Sequence, residues 1–166
     1  MNIVLCGMPG AGKTVTSLAL QAISGKKAVD TDAIIVQKYG RITDIFQNYG
    51  EEYFRDLETQ TCKDLANSEN LIIATGGGCV IRPQNVKYLK KNGKIIYLKA
   101  QKETLVKRVS QNNERPLLVG DAEEKIEKLM LARAAIYESV ADVVIDTDGL
   151  SPQAVAEKIL EIIKDN

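Results

Sequence analysis

The sequence of 166 residues contains no histidine. Without histidine, the chain can form neither a Ser-His-Asp nor a Cys-His catalytic arrangement, and any zinc site that depends on histidine is excluded. The side chain that most often acts as a general base near neutral pH is missing as well. If the chain is an enzyme, its chemistry must come from carboxylates, lysine, arginine, backbone N–H groups or a bound cation.

Cysteine is scarce: Cys6, Cys62 and Cys79 are odd in number, widely spaced and without CxxC pairing. This pattern argues against a disulfide framework or a thiolate zinc site, and it favours buried or idle thiols in a reducing compartment. The first residues show no signal-peptide pattern, and no apolar run approaches the roughly 18 residues of a membrane span. We therefore expect a cytoplasmic protein without a membrane partner.

An excess of charge of either sign is also missing, because 22 Lys and Arg residues balance 22 Asp and Glu residues. Zero net charge argues against the whole-molecule basic field of a nucleic-acid-binding protein. At roughly 150 residues per domain, the length predicts a single domain over residues 1–166. We expect this domain to be a monomer.

Short apolar runs alternate with helical periods along the chain. Five runs are typical of strands, at residues 2–6, 28–29, 71–74, 94–99 and 141–145. Strands that alternate with helices predict an α/β fold with a mostly parallel sheet. In the first helix, the apolar residues are expected to share one face: Val15, Leu18, Ala19, Ala22 and Ile23.

The segment from Gly7 to Thr14 (GMPGAGKT) fits G-x-x-x-x-G-K-[ST] between a predicted strand and a predicted helix. Its glycines let consecutive N–H groups converge on phosphate oxygens, and the helix N-terminus adds partial positive charge. Lys13 suits the β- and γ-phosphates, and the Thr14 hydroxyl suits Mg²⁺. This segment, the phosphate loop, predicts binding of a nucleoside triphosphate.

Two acids, Asp30 and Asp32, follow the second predicted strand, where residues two apart are expected to point the same way. Ligands bind open α/β sheets outside the carboxyl ends of the strands. One carboxylate suits Mg²⁺ through water, and the other suits a substrate hydroxyl and its proton. A helix N-cap is the structural alternative for either residue.

Two arginines stand where a ligand or a purely structural role is possible. Arg133 lies on the apolar stripe of a predicted helix, so its charge needs an internal carboxylate or an anionic ligand. Arg115 lies in a Pro- and Gly-containing loop at residues 111–120. That loop is either solvated or closes over phosphates.

Two further features have alternative interpretations. Arg55 precedes Glu58 by three residues on a predicted helix, and the two can simply form an ion pair. The triplet Gly76-Gly77-Gly78 follows a predicted strand. It is either a tight turn or a place where backbone N–H groups meet a ligand.

Taken together, these motifs resemble the shikimate kinase family of the nucleoside monophosphate kinase-like P-loop group. The resemblance runs from the phosphate loop to Pro152, with five motifs in the family's order: Asp30-Thr31-Asp32, Phe54-Arg55-Asp56-Leu57-Glu58, Gly76-Gly77-Gly78, Arg115-Pro116-Leu117-Leu118, and Arg133 with Tyr137. It implies a three-layer P-loop kinase fold, with a five-stranded parallel sheet flanked by helices. It also implies a substrate-binding segment near residues 33–62 and a lid near residues 109–120.

The resemblance implies an enzyme that phosphorylates the 3-hydroxyl of shikimate with MgATP, on the route to chorismate and the aromatic amino acids. Asp32 would hold ring hydroxyls and act as the base, while Lys13 and Arg115 would stabilise the transferring phosphoryl group. Thr14 would ligate Mg²⁺ directly and Asp30 through water. The implied ATP-binding residues are Gly10, Ala11, Gly12, Lys13, Thr14, Val15, Arg108, Arg115 and Pro152. The implied shikimate-binding residues are Asp32, Arg55, Glu58, Gly76, Gly77, Gly78 and Arg133.

Two other functions remain open on the sequence. One is a related P-loop kinase for a different hydroxylated acid or for a nucleotide. The other is a nucleotide-dependent regulatory module, which would bind ATP without acceptor-stimulated turnover. For Pro152, the first turn of a helix is the structural alternative to a place in the adenine pocket.

Overall fold

The computed structural model describes residues 1–111 and 121–165, which contain five strands and eight α-helices. The strands are β1 (Asn2–Cys6), β2 (Lys27–Asp30), β3 (Leu71–Ala74), β4 (Gly93–Lys99) and β5 (Val143–Asp146). The helices are α1 (Lys13–Ser24), α2 (Thr31–Tyr39), α3 (Ile42–Tyr49), α4 (Glu51–Leu65), α5 (Pro83–Lys91), α6 (Lys102–Ser110), α7 (Ala122–Val140) and α8 (Pro152–Lys164). A 3₁₀ turn covers Cys79–Ile81. No helix within these two ranges has both the length and the apolarity to cross a membrane.

The strands pair in parallel in the order β2-β3-β1-β4-β5, which confirms the predicted five-stranded parallel sheet. In β1, Ile3 lies opposite Ile72 of β3 on one side and Lys94 of β4 on the other. The chain crosses from one side of β1 to the other between β3 and β4, so the strand order reverses beside β1. In an open α/β sheet, this reversal creates a crevice at the carboxyl ends of the strands.

The main core surrounds β1, all five residues of which are buried. Helices that cover both faces of a parallel sheet leave its central strands without a solvated side, which explains their continuous apolar runs. A second, smaller cluster lies under α2, α3 and α4, where Ile35, Ile45 and Phe54 are buried together. The segment between β2 and β3 therefore has a small core of its own.

The apolar face predicted for α1 is not the face that the helix buries. Val15, Leu18 and Ile23 are 50%, 55% and 45% exposed, whereas Leu20 and the polar residue Ser17 are buried. Ser17 tolerates burial because its hydroxyl donates to the Thr14 carbonyl oxygen at 2.6 Å, within its own helix. The helix thus turns a mixed face toward the interior and leaves three of its four larger apolar side chains accessible.

Candidate active site

The phosphate loop connects the buried end of β1 to the first turn of α1. Gly10 and Gly12 adopt φ angles of 83° and 89°, a left-handed conformation that side-chain-bearing residues rarely take. A Cβ on Gly10 would also lie 3.1 Å from Val109 Cγ2. These positions therefore require glycine, as the motif predicts, and the loop has the backbone of an anion cradle.

Lys13 is held inside this loop. Its Nζ donates to the carbonyl oxygens of Gly7 at 2.6 Å and Met8 at 3.0 Å. Burial lowers the pKa of Lys13 to about 8, although the nearby carboxylates of Asp30 and Asp32 favour the charged form. At neutral pH the Lys13 amine is therefore mostly protonated, and its positive charge lies beside the cradle.

Asp30 ends β2 and caps α2, because its Oδ1 accepts the backbone N–H of Ala33 at 3.1 Å. Asp32 already belongs to the first turn of α2, so the expectation that both acids extend from one strand is wrong. The helix begins at Thr31 because Asp30 supplies its cap. Both carboxylates nevertheless line the same cavity, since the strand-to-helix junction lies at the carboxyl edge of the sheet.

The oxygen groups near the loop fit Mg²⁺. The Thr14 hydroxyl donates to Asp30 Oδ2 at 3.4 Å, which brings together a hydroxyl and a carboxylate of the type that Mg²⁺ prefers. Within the described part of the chain, no group of three or more acidic or thiol side chains is placed to hold a metal by itself. Mg²⁺ itself commonly takes only one or two carboxylates and keeps several waters.

Two adjoining cavities flank the phosphate loop. The first, of about 380 Å³, has walls from the loop, from both acids and from the turn after β3. The second, of about 180 Å³, extends from Val15 to Arg108, whose Nη1 donates to the Gly10 carbonyl oxygen at 3.1 Å. Pro152 begins α8 behind the Ser151 cap, as the structural alternative predicts, and it also lines the second cavity. Its place in an adenine pocket stays a prediction.

The glycine turn, residues 76–78, lies where three charged side chains converge. A Cβ built on each glycine would meet one of them: on Gly76, 2.6 Å from Asp32 Oδ1; on Gly77, 3.0 Å from Arg133 Nη1; on Gly78, 2.5 Å from Arg55 Nη1. The Gly77 position also lies 3.5 Å from Cδ of Pro9 in the phosphate loop. The absence of side chains at the turn therefore lets these charged groups approach the phosphate loop.

Arg55 forms the ion pair that its spacing predicts. Its Nη1 donates to Glu58 Oε1 at 2.7 Å and its Nη2 to Glu51 Oε1 at 3.2 Å. Glu58 is only 1% exposed, and burial raises its pKa against the opposing effect of Arg55. The other oxygen of Glu58, Oε2, is buried without a hydrogen-bond partner among residues 1–111 and 121–165. The pair therefore holds the Arg55 side chain in place and leaves its guanidinium beside the glycine turn.

The predicted site residues thus meet in one region, with one exception. Arg115 and most of the predicted lid, residues 112–120, lie outside the described residues. Two residues near the turn had no role assigned from sequence. Thr31 Oγ1 accepts the Gly76 N–H at 2.9 Å, and Thr75 lines the first cavity. Thr31 stands between the two acids, so its position in that motif was the available signal.

Comparisons with known proteins agree with this geometry. The family model described as shikimate kinase matches residues 9–164. Shikimate kinase from Thermodesulfovibrio yellowstonii is 43% identical over 162 residues, which cover 96% of this chain and 93% of the relative. Shikimate kinase from Enterococcus faecalis is 38% identical over 167 residues, which cover 99% of each protein.

Solved structures that resemble this chain include shikimate kinases as well. Shikimate kinase from Acinetobacter baumannii in complex with shikimate has a TM-score of 0.91 and 36% identity, covering 99% of this chain and 93% of that one. Shikimate kinase from Aquifex aeolicus has a TM-score of 0.86 and 31% identity, covering 100% of this chain and 98% of that one.

The sequence and structural matches extend over nearly the whole chain, so they concern the complete arrangement and not the phosphate loop alone. They confirm the P-loop kinase fold, the class of enzyme and the dependence on MgATP that the motifs predicted. The chain belongs to the shikimate kinase family, whose members are ATP-dependent kinases that act on shikimate.

Proposed function

We propose that this site transfers the γ-phosphoryl group of MgATP to the 3-hydroxyl of shikimate, giving shikimate 3-phosphate and ADP. One observation carries the proposal at the level of residues. Gly77 lies against both Pro9 of the phosphate loop and the guanidinium of Arg133. A cradle for phosphates and a cation for a carboxylate are therefore neighbours, as transfer from a nucleotide to a hydroxylated acid requires.

The donor half of the site consists of the phosphate loop with Lys13, Thr14, Arg108 and Pro152. Backbone N–H groups and the ammonium of Lys13 hold phosphate oxygens. Arg108 and Pro152 enclose the base in the smaller cavity. When bound, Mg²⁺ neutralises phosphate charge, and Thr14 and Asp30 are the residues that hold it, directly and through water.

The acceptor half consists of Asp32, Arg55, Glu58, Arg133 and the glycine turn. Guanidinium groups recognise a carboxylate through paired N–H donors, so Arg55 and Arg133 clamp the carboxylate of shikimate. Glu58 keeps Arg55 oriented through the 2.7 Å contact. Asp32 accepts a hydrogen bond from the reacting hydroxyl and takes its proton. The Gly77 N–H binds substrate, while Gly76 and Gly78 keep the approach open.

The remaining proposals concern the substrate-binding segment, the lid, the number of domains and the oligomeric state. The small core under α2–α4 supports a substrate-binding segment over residues 33–62 within a single domain, residues 1–166. The role of Arg115 and the lid over residues 109–120 stay predictions from the family resemblance. The expectation of a monomer is kept as a proposal, and gel filtration at assay concentration tests it.

A reducing cellular location is also proposed. The thiols of Cys62 and Cys79 lie 3.3 Å apart between their Sγ atoms, yet all three cysteines are free. Neighbouring free thiols are compatible with the cytoplasm, where cellular reductants keep them reduced. Fractionation of the native host tests this location.

Coupled detection of ADP release tests the function. The purified chain with MgATP is offered shikimate, gluconate or a nucleoside monophosphate in parallel. We expect turnover with shikimate and little with the other two acceptors. Turnover of another acceptor without shikimate activity would contradict the proposed substrate. ATP binding without turnover of any acceptor would instead favour a regulatory module.

A further inference from the structure

A buried tyrosine on α7 contacts the glycine turn directly. Tyr137 is 0% exposed, and its hydroxyl donates to the Gly77 carbonyl oxygen at 2.5 Å. Its ring packs against Tyr97 of β4, with centroids 5.2 Å apart. Packing fixes the ring and the carbonyl fixes the hydroxyl, so this side chain has little freedom to move.

Tyr137 donates to the Gly77 carbonyl oxygen, whereas the carbonyl oxygens of Gly76 and Gly78 accept from backbone N–H groups of the following residues. The Gly76 oxygen accepts from Cys79 N–H at 3.0 Å, and the Gly78 oxygen accepts from Ile81 N–H at 3.2 Å. Because glycine restricts its dihedral angles so little, hydrogen bonds must set the orientation of the peptide between Gly77 and Gly78. Tyr137 supplies that constraint from another element.

The same helix also carries a substrate-facing cation. Arg133 precedes Tyr137 by four residues, so both lie on one face of α7. Burial raises the pKa of Tyr137 to about 12, while the charge of Arg133 opposes the shift. The hydroxyl therefore stays protonated, and donates to Gly77, throughout the neutral pH range.

We propose that Tyr137 is a positioning residue for the acceptor, which keeps the peptide of Gly77 and the guanidinium of Arg133 at a fixed separation. The inference rests on the proposed function of the site. Tyr137 itself need not touch shikimate. Its loss changes the geometry with which the turn and Arg133 meet the substrate, whereas the phosphate loop is untouched.

The test compares Tyr137→Phe with Tyr97→Phe. Both changes remove one hydroxyl from the same ring pair, but the Tyr97 hydroxyl makes no hydrogen bond within the described residues. We expect Tyr137→Phe to raise the KM for shikimate about tenfold, the size of one lost hydrogen bond, with the KM for ATP within about twofold. Tyr97→Phe is expected to leave both KM values unchanged.

A second pair of variants separates loss of the hydrogen bond from the cavity that removal of the Tyr137 hydroxyl leaves. 4-Fluorophenylalanine at position 137 fills the space of the hydroxyl without a donor, whereas 4-aminophenylalanine restores a donor. We expect only the amino variant to regain the wild-type KM for shikimate. This comparison also decides the matter if Tyr137→Phe does not fold.

The outcomes separate two failures. Equal KM values for shikimate in the fluoro and amino variants overturn the positioning role, as does an equal rise of both KM values in Tyr137→Phe together with a lower melting temperature. Absence of shikimate turnover in the wild-type chain itself is a failure of the proposed function. Wild-type turnover with an unchanged Tyr137→Phe variant is a failure of the inference alone.

Discussion

The donor half and the acceptor half of the site are built in opposite ways. The proposed donor cradle is one contiguous segment, residues 7–14, and most of the groups that we expect to bind phosphate there are backbone N–H groups. The acceptor half draws side chains from α2, α4 and α7 around a turn after β3. A cradle of backbone is specified by local conformation, whereas a clamp of side chains is specified by how distant elements pack.

The two halves also hold their cations differently. Lys13 is bonded to carbonyl oxygens of its own loop, so its position depends on few other elements. Arg55 is bonded to the buried carboxylate of Glu58, and Arg133 approaches from another helix. Substitutions in the acceptor half should therefore change acceptor affinity selectively, while those in the donor half should affect nucleotide use.

The largest effect is expected for Asp32→Asn. If Asp32 takes the proton of the reacting hydroxyl, kcat falls about 10²- to 10⁴-fold, the usual contribution of a positioned base. The KM for ATP should change little, because the phosphate loop is intact. Coupled ADP release measures both. Asp44→Asn is the matched control, since Asp44 pairs with Arg41 on the exposed surface of α3; a loss below about fivefold in Asp32→Asn would exclude a base.

A reciprocal pair of arginine variants tests the division into halves. Arg133→Ala should raise the KM for shikimate about ten- to a hundredfold, through loss of hydrogen bonds to a charged group, and leave the KM for ATP nearly unchanged. Arg108→Ala should do the reverse. Arg82→Ala is the control, because Arg82 forms ion pairs with the exposed side chains of Glu52 and Asp56 and lines neither of the two cavities. Parallel losses for both substrates in Arg133→Ala would indicate a structural arginine.

The pH dependence of the donor half follows from Lys13. With a pKa of about 8, its ammonium is charged below that pH and lost above it. We expect kcat/KM for ATP to fall with rising pH, to about a tenth at one unit above the pKa. Cys6 does not titrate in this range, since burial raises its pKa to about 12. Lys13→Arg should lower activity but abolish the alkaline limb; a limb that persists would assign it to another group.

The contrast between the halves also explains what the sequence could predict. The phosphate loop was predictable residue by residue, because glycines at fixed spacing determine a local backbone. Among the acceptor residues, Asp32 and Arg133 stood out as candidates from the sequence pattern, but only the family resemblance chose between the alternatives for each. That Gly76, Gly77 and Gly78 each face one charged side chain depends on how α2, α4 and α7 pack. Packing between helices that are far apart in the chain cannot be predicted from the pattern of any one segment.

Two of the predictions from sequence are wrong for physical reasons. A period-two rule placed Asp30 and Asp32 on one strand, but the Asp30 side chain caps a helix that starts at the next residue. A periodicity of apolar residues placed Leu18 on the apolar face of α1, but the helix buries Ser17, whose hydroxyl donates to the Thr14 carbonyl oxygen. In both places a short polar side chain forms a hydrogen bond with a nearby backbone group. That bond changes where the helix begins in one case and which residue the helix can bury in the other.

The smallest expected effect tests this account of α1, the helix of the donor half. Leu18 is 55% exposed and Leu20 is 0% exposed, although they lie two residues apart. Leu18→Ala should change the free energy of unfolding by about 0.5 kcal/mol or less, as is usual at a surface, whereas Leu20→Ala should lower it by about 2–5 kcal/mol through the cavity it leaves. Urea denaturation midpoints measure the difference. Equal losses in the two variants would restore the face that periodicity predicted.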